Sequence, residues 1–204
     1  MISIVSSKIL PKEPKGDDDP EKIFASVGRA LTQWESLQLA LTYLFINAIG
    51  ATFKYPVMRA FGHSVLVPTK LEMIRYAVET SLHFHEELEN KVKTFLNSVL
   101  GYNERRNDIA HGQVMKIPEG YYLFPPLTTS KKYKPFEGEA PKPAYCWTAG
   151  QISRYCRAFQ KLEDDCAPLR QEVGAVTERY AAIEAQELLQ RTSSLAKGTS
   201  TDES

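Results

Sequence analysis

The chain has 204 residues, with 25 Lys and Arg balanced by 25 Asp and Glu, so its formal net charge is zero. At 43% hydrophobic and 25% charged residues it reads as a soluble globular chain, long enough for one sizeable core or one domain with tails. The neutral balance excludes a protein that grips nucleic acid by overall charge, and any RNA contact is expected to be local, short and salt-sensitive.

Residues 2–10 are compatible with a short strand or with disorder, and Met1–Val5 lack the basic region and long apolar run of a signal peptide. Pro11 to Pro20 is rich in proline and charge and reads as a linker, so residues 1–19 are assigned to an N-terminal arm. Asp19, Pro20 and Glu21 form a helix start: a capping carboxylate, a proline suited to the first position and an acid that complements the dipole. Ile23, Val27, Ala30, Leu31, Trp34, Leu37, Leu41, Leu44, Phe45 and Ala48 then recur at three- and four-residue steps, predicting a helix from Pro20 to Ala48 that Gly50 ends. The most apolar stretch, Leu37 to Phe53, is broken by Gln38, Thr42 and Asn47 at helical spacing, which makes it a core helix and not a membrane span.

Residues 51–67 form a connection with a short helix around Pro56–Phe61. Thr69 and Glu72 predict a capping box for a helix from Lys70 to Ser81, buried through Leu71, Ile74 and Val78. Leu88, Val92, Phe95, Val99 and Tyr102 predict a helix over 86–111, stopped by Gly112. The period then changes, and Gln113–Ile117 with Tyr121–Phe124 reads as a hairpin around Pro118-Glu119-Gly120. A loop rich in proline and lysine fills 125–147. Thr148 and Gln151 then predict a capping box for a long helix from Ala149 to Gln190. At about 1.5 Å per residue that helix spans about 60 Å, which calls for a bend at Pro168 or for packing on another subunit. Residues 191–204 are polar and small and read as a disordered tail. The fold class is therefore mostly α, a helical bundle with a β-hairpin inserted before the long C-terminal helix.

The chemistry concentrates in Arg106-Asn107-Asp108-Ile109-Ala110-His111-Gly112. At about 100° per residue, Arg106 continues the apolar stripe of its helix, where an unpaired charge is costly and demands an acid, a cleft or an anionic ligand. Glu104 and Arg105 point the other way and are expected to be solvated. Asn103, Asn107 and His111 step by four and form a polar edge. Arg106 and His111 diverge by about 140° on an ideal helix, so either the helix unwinds at Gly112 or two copies of it meet in a composite groove.

This stretch resembles the Arg-x4-His motif of HEPN domains (higher eukaryotes and prokaryotes nucleotide-binding), an α-helical family rich in metal-independent ribonucleases. Only 106–112 matches as a motif, while the helix order is similar over roughly 20–190 and Trp34-Glu35 is similar to a pattern in some relatives. The resemblance implies a HEPN-like domain over 20–190 and a homodimer with its cleft at the two-fold axis. It also implies an endoribonuclease that needs neither metal nor cofactor and acts in the manner of a toxin or defence effector. Arg106 would clamp phosphate, His111 would move protons and Asn107 would orient them.

Other readings stand beside this one. His111 would cap the helix C-terminus, Arg106 would pair with an acid such as Glu35, and the chain would be a non-catalytic dimeric module holding an antitoxin-like partner, or would bind a nucleotide or other anion without cleavage. Lys131, Lys132 and Lys134, around Tyr133, form a basic loop able to touch RNA. His83 and Glu87 have a usable metal spacing but no further ligands, and no metal site is expected. The three cysteines, Cys146, Cys156 and Cys166, contain no CxxC, and free thiols in a cytoplasmic protein are expected.

Overall fold

The computed structural model describes residues 9–64, 66–126 and 145–198, with side chains described to residue 192. Helix α1 (Pro20–Ala48) starts where the sequence caps it: Asp19 is extended, and its Oδ1 accepts from the Glu21 amide at 2.9 Å. It ends through Ile49 and Gly50, whose φ of +60° lets the chain turn back without a Cβ clash. Trp34, Leu37, Leu41 and Leu44 are fully buried, and α1 packs most extensively along α5 (Ala149–Gly198). Trp34 meets Phe159 edge-on at 4.9 Å, and Phe159 meets Tyr102 at 6.1 Å, so one aromatic ring joins three helices.

Between these long helices lie α2 (Lys54–His63), α3 (Val67–Ser81) and α4 (Glu86–His111). Helix α3 begins three residues before the expected Lys70, with no side-chain cap. Pro68 sits in its first turn, where its fixed φ suits a helix, so Thr69 lies inside the helix and the Thr69–Glu72 capping box does not form. Strands β1 (Gln113–Ile117) and β2 (Gly120–Phe124) pair antiparallel from Gln113↔Phe124 to Ile117↔Gly120, around Pro118 and Glu119. The mostly helical architecture, with this hairpin before the long last helix, is the one the sequence predicts.

The capping box of α5 forms as read: the Gln151 amide donates to Thr148 Oγ1 at 3.3 Å, and the Thr148 amide to Gln151 Oε1 at 3.1 Å. The helix runs through Pro168, which lies on its exposed side, where water can reach the carbonyl that lacks a donor. It also continues past Gln190 to Gly198, so residues 191–198 are helical and not a disordered tail.

The segment read as a linker is a strap. Asp17 and Tyr121 exchange backbone bonds at 3.0 and 2.8 Å, so the strap adds a bridge to the hairpin. Its side chains then hold the start of α5: Thr148 Oγ1 donates to Glu13 Oε2 at 2.9 Å, and the Ala149 amide to Asp17 Oδ2 at 2.7 Å. Gln151 Nε2 donates to the Pro11 carbonyl at 2.6 Å. Most of the expected N-terminal strand, the basic loop with Lys131, Lys132 and Lys134, and residues 199–204 lie outside the described residues.

Candidate functional site

The last turns of α4 are buried on a different flank from the first. Leu88, Val92, Phe95 and Val99 hold the early stripe; Tyr102, Arg105, Asp108 and Ile109 are the buried residues farther on. The cause is the cover. The segment returning from the hairpin, Tyr145 to Trp147, lies over the flank that carries Arg105 and Asp108, and Trp147 pairs with Leu123 of β2 at 2.8 and 2.9 Å. The two arginines therefore exchange the places expected of them. Arg105 is only 3% exposed, whereas the Arg106 side chain keeps 27% of its surface.

Arg105 is held through both terminal nitrogens, while its Nε is buried without a hydrogen-bond partner among the described residues. Its Nη1 lies 3.4 Å from Asp108 Oδ2 and 3.5 Å from the Tyr145 hydroxyl, and its Nη2 lies 2.6 Å from Glu104 Oε2. The Tyr145 hydroxyl donates to the same Asp108 oxygen, and the guanidinium stands 5.6 Å over the Tyr145 ring. Burial and the adjoining Asp108 carboxylate push the Tyr145 phenol well above its usual range, which keeps the hydroxyl a donor.

Arg106 is held more loosely. Its Nη2 stands 3.5 Å from Oε1 of Glu35, a carboxylate that is 66% exposed on α1, and its Nη1 donates to Asn107 Oδ1 at 3.1 Å. The Glu35 pairing is the one the sequence raised. Arg106 Nε is buried without a hydrogen-bond partner, and so are Asn103 Oδ1, Gln38 Nε2 and Trp34 Nε1, all within about a turn of the Glu35–Arg106 contact along α1 or α4. Buried polar atoms left without partners are uncommon in a folded interior, and Arg105 Nε and Trp147 Nε1 on the other flank are further cases.

Asn107 and His111 are exposed on the outer edge of α4. Arg106 and His111 share no hydrogen bond among the described residues, and α4 stays helical to His111, so one chain does not converge them through unwinding. Gly112 follows in extended conformation, and space demands a glycine there: a Cβ would lie 2.7 Å from the Phe124 carbonyl and 2.8 Å from the Asp108 carbonyl. That close approach lets β2 run directly beside the motif.

The remaining candidates are engaged elsewhere. His83 Nδ1 lies 3.2 Å from the Thr80 carbonyl, Glu87 pairs with Lys91 at 2.9 Å, and among the described residues no group of three or more His, Cys, Asp or Glu is placed to hold a metal ion. Burial pushes the Cys146 thiol up to about 11 and Cys166 up to about 12, the opposite of an activated nucleophile. None of the described helices is long and apolar enough to cross a membrane.

The Arg105–Asp108–Tyr145 group was not anticipated from sequence. The three-residue spacing of Arg105 and Asp108 was a usable signal, since such residues neighbour each other on a helix. Tyr145 carries no local signal at all. No protein-family model matches the chain, and no curated protein or solved structure is significantly similar to it.

Proposed function

We propose that the chain is a metal-independent endoribonuclease with a HEPN-like domain over 20–190, acting as a homodimer in the manner of a toxin or defence effector. The observation that carries this reading is the bond from Arg106 to Asn107, which draws the guanidinium toward the exposed edge bearing His111. The opposing Glu35 carboxylate is exposed and 3.5 Å away, and a surface pair of this kind contributes only about 0–1 kcal/mol. A phosphate can take its place.

The chemistry uses the nucleophile that RNA brings. His111 removes the proton of a ribose 2′-hydroxyl, the 2′-oxygen attacks the adjacent phosphorus, and the bond to the 5′-oxygen breaks. Arg106 holds the non-bridging oxygens as charge grows on them. The second copy's imidazole protonates the departing 5′-oxygen, leaving a 2′,3′-cyclic phosphate and a 5′-hydroxyl. The two-chain arrangement follows from the divergence of Arg106 and His111 on one helix, about 140°. Incubating purified protein with RNA in excess EDTA tests the proposal. Wild type is expected to yield cyclic-phosphate ends, and His111→Ala to lose about 10²-fold or more of the rate. Equal cleavage by both proteins ends it.

A second reading is supported by α5. Residues 181–192 are exposed at every position, including Ile183, Leu188 and Leu189, and that stretch suits a non-catalytic module holding an antitoxin-like protein. A stable co-purifying partner together with no cleavage of RNA favours this reading. Anion binding at Arg106 without turnover is the outcome if phosphate or a nucleotide binds and RNA stays intact.

A further inference from the structure

Arg105, Asp108 and Tyr145 are sealed beside a candidate site whose chemistry uses none of them. Their burial is 3%, 3% and 4% exposed respectively, so a guanidinium, a carboxylate and a phenol have all lost their hydration. For stability alone this is a poor choice, because well-packed apolar side chains of similar volume serve a core as well or better. What the polar group adds is direction. An apolar contact tolerates some rotation of a helix about its axis, whereas a carboxylate oxygen gripped by donors from two places does not.

The two grips come from different parts of the chain. Arg105 reaches Asp108 Oδ2 from one turn back at 3.4 Å, and the Tyr145 hydroxyl reaches the same oxygen from outside the helix. Tyr145 is itself fixed: its ring stacks on Trp147 at 5.0 Å, and Trp147 is bonded through its backbone to β2 and packed 5.2 Å from Tyr155 of α5. Arg106 and Asn107 lie between the two gripped residues in sequence, and His111 lies one turn beyond.

We propose that Arg105, Asp108 and Tyr145 are the positioning residues of the site: they set the rotation of the last turn of α4, and so aim Arg106, Asn107 and His111 at a phosphodiester. The identity of that target rests on the ribonuclease reading; the positioning does not.

Two variants and two readouts test this. Tyr145→Phe removes one hydroxyl and keeps the stacked ring, and Asp108→Asn keeps the shape of the carboxylate. Amide hydrogen exchange is measured along the whole chain, and RNA cleavage is measured in EDTA for wild type and both variants. In Tyr145→Phe, exchange over residues 105–112 is expected to rise about tenfold while α1 and the root of α5 keep wild-type protection. Its kcat is expected to fall about tenfold with KM changed less than about twofold, the signature of misaimed groups and not of lost substrate binding. Asp108→Asn is expected to do the same or more. Unchanged exchange over 105–112 in both variants overturns the proposal, and so does acceleration spread evenly over α1 and α5, which would mark a packing role only. Should wild type leave RNA intact, the ribonuclease reading fails, and the exchange pattern alone decides the positioning.

Discussion

The two sides of the last turn of α4 differ more than neighbouring residues usually do. Arg105 and Asp108 face inward and meet Glu104 and Tyr145 as well as each other. Asn107 and His111 face outward, and the half-buried Arg106 between the two sides keeps a long link to Glu35 and one contact to Asn107. The inner set is built to stay where it is, because Arg105 and Asp108 are both buried and each loses its buried counter-charge when the other is removed. The outer set is built to exchange partners, because Asn107, His111 and the Glu35 carboxylate that faces Arg106 are exposed and solvent can replace the contacts they lose. Side chains adjacent in sequence thus divide into those that hold the turn and those the turn presents.

Deleting an inner charge should have the largest effect. Asp108→Ala leaves the buried Arg105 with only the exposed Glu104 as a carboxylate partner among the described residues, and chemical denaturation should show a loss of about 3 kcal/mol, the lower end for a broken buried pair. A loss below about 1 kcal/mol would mean that water already reaches Arg105 and that the two sides are alike. Alkali should act next. The phenol of Tyr145 titrates above its ordinary 10.0 in the folded state, first because of burial and then because of Asp108. The unfolded chain therefore gives up this proton first, and stability that is complete below pH 10 should decline as pH rises past it. Cys146 and Cys166, raised by burial from 9.0 to about 11 and about 12, act in the same sense as pH rises past 9.0. Unfolding titrations should show Tyr145→Phe with a shallower decline above pH 10 by up to about 1.4 kcal/mol per pH unit. The smallest effect belongs to the outer side. Arg106→Ala should shift stability by less than about 1 kcal/mol, and a larger loss in the same measurement would place Arg106 with the structural set.

Local signals carried most of the fold. Asp19 with Pro20, and Thr148 with Gln151, state their helix starts in adjacent residues, and both caps form. Thr69 with Glu72 has the same spelling and fails, because the favourable Pro68 lets α3 begin earlier and absorbs Thr69 into the helix. The strap was illegible for a different reason: its proline and charge describe how it behaves in water, while its partners lie on the hairpin and α5. The site was half legible. The sequence offers Glu35 as an acid for Arg106, and that contact exists. A helical wheel places Arg105 in solvent because it extends one buried face along the whole helix. Here the cover changes from neighbouring helices to the Tyr145–Trp147 segment part-way along, and nothing within α4 announces the change.

The strap has a consequence for the order of events during synthesis. Its bonds to Thr148, Ala149 and Gln151 join positions 135, 132 and 140 residues apart. At roughly 5–20 residues per second on the ribosome, the strap emerges roughly 7–28 seconds before those partners exist. Throughout that interval its carboxylates and amides must remain hydrated without seeking neighbours on other nascent chains. Prolines and a run of aspartates suit that wait well, so the composition that disguises the segment as a spacer also keeps it harmless until the last helix arrives to receive it.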